Sequence, residues 1–145
     1  MRPPAFLFTV VLSFFLLACG TEQIKKEQKS DIALLSQRLL QNPNDIALLQ
    51  NRKQLFIERG NLEAAMMDQE IIVSLDSSNH ELLFELAEMQ YQIAVNGRPN
   101  YYKAALKNLT IDLEAQEAHT ASLLLRGELH YLYRKHEESL KDLNN

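Results

Sequence analysis

From Asp31 onward, apolar residues return at the three- and four-residue spacing of a helix face. Ile32, Leu35 and Leu39 make one stripe, Ile46, Leu49 and Phe56 a second, and Leu62, Ala65, Ile72 and Leu75 a third. Leu82, Leu83, Leu86, Met89 and Ile93 continue the pattern. Tyr102, Ala105, Leu106, Leu109 and Leu113 follow, then Leu123, Leu124 and Leu132. Polar breaks separate them at Asn42-Pro43-Asn44, Arg59-Gly60-Asn61, Asp76 to Asn79, Asn96 to Asn100, Gln116 to His119, and near Arg134-Lys135. Pro43 cannot continue a helix, and Gly60 suits a left-handed C-terminal cap. The pattern predicts about seven helices joined by short loops. No run of alternating β-branched residues offers a strand, so the expected class is all-α.

The first 30 residues read differently. Met1 and Arg2 form a short positive start, and Ala5 to Leu17 is an apolar stretch too short to span a bilayer. It ends in Leu16-Leu17-Ala18-Cys19-Gly20, which resembles the lipobox of bacterial lipoproteins, with Leu17 a less usual residue before Ala18. The resemblance implies cleavage before Cys19, whose thiol and amine then carry lipid, palmitate among the acyl chains. Residues 1–18 are thus expected to be a signal peptide, and 19–30, polar and rich in Lys and Glu, a tether. The expected location is the cell envelope, at the outer membrane facing the periplasm, with Cys19 the link to the membrane.

The breaks at Asn42-Pro43-Asn44-Asp45 and Asp76-Ser77-Ser78-Asn79 are 34 residues apart, with helix, Gly-Asn turn and helix between them. Two helices in a 34-residue period are the signature of tetratricopeptide (TPR) repeats. Gly60-Asn61-Leu62-Glu63-Ala64-Ala65 resembles that family's turn and second-helix start, with Ala65 on its small position. Leu123 to Glu128 followed by Lys135 to Leu140 reads as the same unit, with Gly127 and Ser139 on small positions. The resemblance implies a short right-handed α-solenoid over residues 31–145: a half unit at 31–44, then units at about 46–79, 80–119 and 120–145. The middle unit carries six extra residues around Asn96 to Asn100, an expected exposed turn. Lys53 stands where a small residue is usual, Gln69 where an aromatic or Leu is usual, and Ser77 and Glu117 replace Pro.

The register pairs Arg52 with Arg126 and Asp68 with Asp142, each Asp 16 residues after its Arg. The middle unit has Leu86 and Asn108 there, losing both charges together. Joint loss points to contact across the antiparallel helices; the alternative is two exposed, unrelated pairs.

Composition narrows function by exclusion. The formal net charge is −4, and the mild acidity is spread along the chain, against the basic stripe that nucleic acid requires. The single cysteine rules out an internal disulfide and a Cys-based metal site. His80, His119, His130 and His136 lack the spacing that puts two ligands on one helix face; His80 and His119 read as polar flanks at helix starts. No Gly-rich phosphate loop and no nucleophile elbow is present, so neither an enzyme nor a cofactor is indicated. What remains is a surface. The resemblance implies that the first helix of each pair lines a concave groove for a protein partner: Gln50, Gln54 and Ile57, then Phe84, Glu88 and Tyr91, then Leu124, Glu128 and Tyr131. The alternative is that these aromatics pack between helices. A homo-oligomer formed through the terminal helices is the rival to a partner-binding module.

Overall fold

A computed structural model describes residues 31–145; the leader, Cys19 and the tether lie outside the described residues. The first described helix, α1, covers 31–41. Then come α2 (Ile46–Glu58), α3 (Leu62–Leu75), α4 (His80–Val95), α5 (Tyr102–Ala115), α6 (Thr120–Leu132) and α7 (His136–Leu143). A single 3-10 turn, Pro99–Tyr101, precedes α5. The described residues contain no strand, and none of their helices is long and apolar enough to cross a membrane.

Local chemistry sets most of the boundaries. The side chains of Asp45, Asn61 and Asn79 accept from the backbone N–H of Leu48, Ala64 and Leu82 at 3.1, 3.2 and 3.3 Å, each satisfying an N–H that the first turn leaves unpaired. Gly60, at φ 69°, closes α2. The Asn61 N–H bonds the Phe56 carbonyl, and the Gly60 N–H bonds that of Ile57, both at 2.8 Å: a Schellman cap. The third unit repeats it with Arg134 at φ 60°, a left-handed position for a residue bearing a Cβ.

The middle unit absorbs its extra residues in two ways. α4 runs to Val95, 16 residues against 13 in α2 and α6, and closes on Gly97 (φ 97°). The 3-10 turn takes the rest. Asn96 to Asn100 are exposed as expected, but part of the insertion is helix. Arg98 on the turn meets Glu63 at the start of α3, 3.1 Å away.

Small residues let each pair close. Ala65 and Ala105 on the outer helices are fully buried, Ser139 nearly so, and Ala87 is buried on the inner side. Gly127 lies so close to α7 that a Cβ there would come within 3.0 Å of the Leu143 side chain. Between pairs, three apolar clusters form the core: Leu39, Leu49 and Ile72; Met66, Leu86, Met89 and Ile93; and Ala87, Ala105, Leu109 and Leu129. Consecutive helices pack on one another throughout α2–α7. The backbones of α4 and α6 also approach across α5, and Lys53 on α2 reaches Glu85 on α4 past α3, whereas the backbones of α3 and α5, and of α5 and α7, stay apart. The even-numbered helices therefore line the inside of the curve. The whole is a TPR-like α-solenoid.

Candidate interaction surface

The inner face is built by α2, α4 and α6. Gln50, Gln54 and Ile57 are exposed on α2, Glu88 on α4, and Leu124, Glu128 and Tyr131 on α6, with Leu124 52% and Tyr131 62% exposed. The aromatics divide. Phe84 and Tyr91 are half-buried and pack on the Ala87–Leu109–Leu129 cluster, so for them the inter-helix role holds. Tyr131 stays outside, with its ring edge-on to His136 at 5.6 Å. The Tyr91 hydroxyl donates to Glu128 Oε2 at 2.7 Å, joining α4 to α6. Burial first, then that hydrogen bond and the charge of Glu128, push the Tyr91 hydroxyl up to about 12.

Behind this face, the cations of the inner helices turn inward. Arg52 Nε donates to Asp68 Oδ2 at 2.9 Å, and its Nη2 to Oδ1. Arg126 holds Asp142 the same way, Nε to Oδ2 at 2.8 Å and Nη2 to Oδ1 at 2.6 Å. Each Arg also reaches back 16 residues to a hydroxyl on the preceding outer helix, Ser36 at 3.1 Å and Thr110 at 3.4 Å. The structure thus brings together both pairs that the repeat register had aligned. Where the middle unit has Leu86, that side chain joins the Met66 cluster, and Asn108 turns to Gln90 Oε1 at 2.9 Å.

Two polar groups were not legible as groups. Lys53, 8% exposed, donates from Nζ to Gln69 Oε1 at 2.9 Å and to Glu85 Oε1 at 2.7 Å, while Gln69 Nε2 donates to the Leu82 carbonyl at 2.8 Å. The two departures from the repeat pattern therefore touch. The second group centres on Asp112, fully buried, whose Oδ2 takes the Ser122 hydroxyl and the His119 ring Nδ1. His80 Nδ1 lies 3.8 Å from Asp112 Oδ1. His80 and His119 are thus more than polar flanks: they bracket a buried carboxylate. The only sequence signal was Asp112 itself, a charge at the register position of Ile72.

Asp, His and Ser in contact do not make a catalytic triad here. In a triad the carboxylate and the hydroxyl hold opposite nitrogens of the imidazole. Here both reach Nδ1, Ser122 at 3.0 Å, and Ser122 is fully buried inside a helix where no substrate can meet it. The group is a polar joint between α5 and α6. Among the described residues no three His, Cys, Asp or Glu side chains are placed to hold a metal ion.

Fold and surface together define a TPR-like repeat protein. Two solved structures share this architecture. A crystal structure of MamA aligns with a TM-score of 0.62 at 16% identity, over 84% of this chain and 68% of that one. Another crystal structure of MamA protein gives 0.63 at 15% identity, over 85% and 64%. At such identities the likeness is one of fold, and this chain spans roughly two thirds of either. No protein-family model matches the chain, and no curated protein matches it in sequence.

Proposed function

We propose that this chain is a lipid-anchored TPR-like interaction module of the bacterial cell envelope, a scaffold or assembly factor tethered through Cys19. One observation carries the docking role: Leu124 and Tyr131 lie exposed on the inner face beside Glu88 and Glu128. Large, stiff side chains of this kind give contact area at small entropic cost. The lipobox-like Leu16 to Gly20 and the polar tract behind it support the anchor. Multiple acyl chains would hold it stably, each buried methylene contributing about 0.8 kcal/mol. A photo-crosslinker placed in cells at Leu124 should capture a discrete protein, while one at Lys107 on the outer helix α5 should not. Equal capture from both positions would overturn the groove assignment.

A second reading has its own observation. Leu140 and Leu143 on α7 are 60% and 50% exposed, which would suit a subunit that oligomerises through its last helix pair. A mass in solution that doubles with concentration, and stays single in Leu140→Glu, would favour it.

A further inference from the structure

The inner face sorts charge. Helices α2, α4 and α6 contain three cations, Arg52, Lys53 and Arg126, and each is already paired: Arg52 and Arg126 with the buried Asp68 and Asp142, Lys53 with the half-exposed Glu85. What these helices leave at the surface is anionic. Glu81, Glu88 and Glu128 are exposed, and no Lys or Arg side chain on the three helices is. Lys103, Lys107 and Lys141 are exposed too, but on the outer helices α5 and α7. A chain whose charge is only mildly negative overall thus has inner helices whose exposed charges are all carboxylates.

The same face offers apolar footholds at intervals, Ile57, Leu124 and Tyr131. The Tyr91–Glu128 bond fixes α4 against α6, so Glu88 and Glu128 sit on a preset wall rather than on two independent helices.

Resting on the docking role proposed above, we infer that the inner face takes a cationic amphipathic segment of a partner protein, with apolar residues for the footholds and Lys or Arg for the glutamates. An acidic segment would set like charges against each other, and a neutral one would leave the glutamates unanswered. Exposed ion pairs contribute little affinity singly, so the charge acts mainly as a filter on partner and encounter rate. Binding must therefore weaken as salt rises.

The test uses three synthetic helical peptides sharing one leucine pattern, with Lys, Gln or Glu at the remaining positions. Each is titrated against the purified full chain by fluorescence anisotropy at low and high salt. The Lys peptide should bind best and lose affinity with salt. Glu88→Lys with Glu128→Lys should weaken it about tenfold and favour the Glu peptide, since two reversed exposed charges are worth about one decade. Lys103→Glu with Lys107→Glu, on the outer face, should change nothing. The charge inference is overturned if the Lys and Glu peptides bind alike, or if outer-face reversal matters as much as inner. Binding of all three peptides that Leu124→Ala and Tyr131→Ala abolish would overturn the charge filter yet leave the docking face standing. If the inner face is instead occupied by a second copy, unliganded chain will self-associate through Glu88 and Glu128, and the inference falls. Binding by none of the three also overturns it, while the crosslink from Leu124 judges the docking role independently.

Discussion

Lys53 on α2 hydrogen-bonds Gln69 on α3, 16 residues away, through a buried Nζ–Oε1 contact of 2.9 Å. The matching positions of the other units hold Ala87 or Gly127 against the neighbouring helix. A long cation replaces a small residue here because Gln69 and Glu85 supply its acceptors. Gln69→Leu should cost about 1–3 kcal/mol, because it withdraws an acceptor from a buried ammonium. Lys53→Ala with Gln69→Leu restores the repeat pattern at both places and should cost clearly less than the two single changes added. Urea denaturation of the four chains measures the coupling; simple additivity would mean the two side chains do not depend on each other.

Arg52 and Asp68 should be coupled in the same way. A double-mutant cycle should give an interaction energy of about 0.5–3 kcal/mol, the range for residues in contact. Arg52→Leu alone should destabilise more than Arg52→Leu with Asp68→Asn, because the lone change leaves Asp68, 1% exposed, without its guanidinium. That double change copies Leu86 and Asn108 of the middle unit. Independent effects in chemical denaturation would put both side chains in solvent.

Asp112 and Ser122 stand at the register positions of Ile72 and Leu82, which belong to an apolar cluster one unit earlier. Asp112→Ile with Ser122→Leu should therefore be neutral or stabilising by about 1–4 kcal/mol, as when a buried charge network gives way to packed apolar residues. Ser122→Leu alone should destabilise, since it strips a donor from a buried carboxylate. Thermal melting of the three chains decides the matter. A double variant less stable than Ser122→Leu would show that the polar joint has no apolar equivalent.

His130 supplies a pH dependence. Burial holds its imidazole below the ordinary histidine value of 6.5, against the opposing pull of Asp142, whose Oδ2 is 3.8 Å from Nε2. The unfolded chain therefore binds this proton more readily than the folded one. The stability it contributes is complete above pH 6.5 and is lost as pH falls below that value towards the folded pKa. His130→Gln, which copies Gln90 at the matching place, should flatten the loss of melting temperature between neutral and mildly acidic pH. Parallel curves for the two chains would remove His130 from the explanation.

Cys19→Ser should leave the precursor uncleaved and without acyl chains. The motivation is Leu16-Leu17-Ala18-Cys19-Gly20. Mass spectrometry of the wild-type N-terminus checks it directly. A chain beginning anywhere but Cys19, or lacking acyl mass, would remove the lipid anchor from the proposed function.

Much of the architecture was legible because its causes are local. Apolar spacing marks the buried stripe of each helix, and Asp45, Asn61, Asn79 and Gly60 cap the helices they adjoin through contacts within a few residues. The joint appearance of Arg52 with Asp68 and of Arg126 with Asp142 carried the register itself, because a repeated fold prints a repeated contact at a constant separation. Contacts between units leave no such trace. Lys53, Gln69 and Glu85 come from three helices, and each by itself looks like a polar residue on the wrong stripe. Asp112, His119 and Ser122 meet only when α6 folds back on α5. The aromatics could not be sorted from spacing either: Phe84, Tyr91 and Tyr131 occupy the same face of their helices, and only the neighbouring helix covers the first two. Periodicity states which side of a helix avoids water, and that was enough to determine the helices and their pairing. How far a neighbour reaches over that side depends on the curvature of the whole array, so the surface was decided by tertiary structure alone.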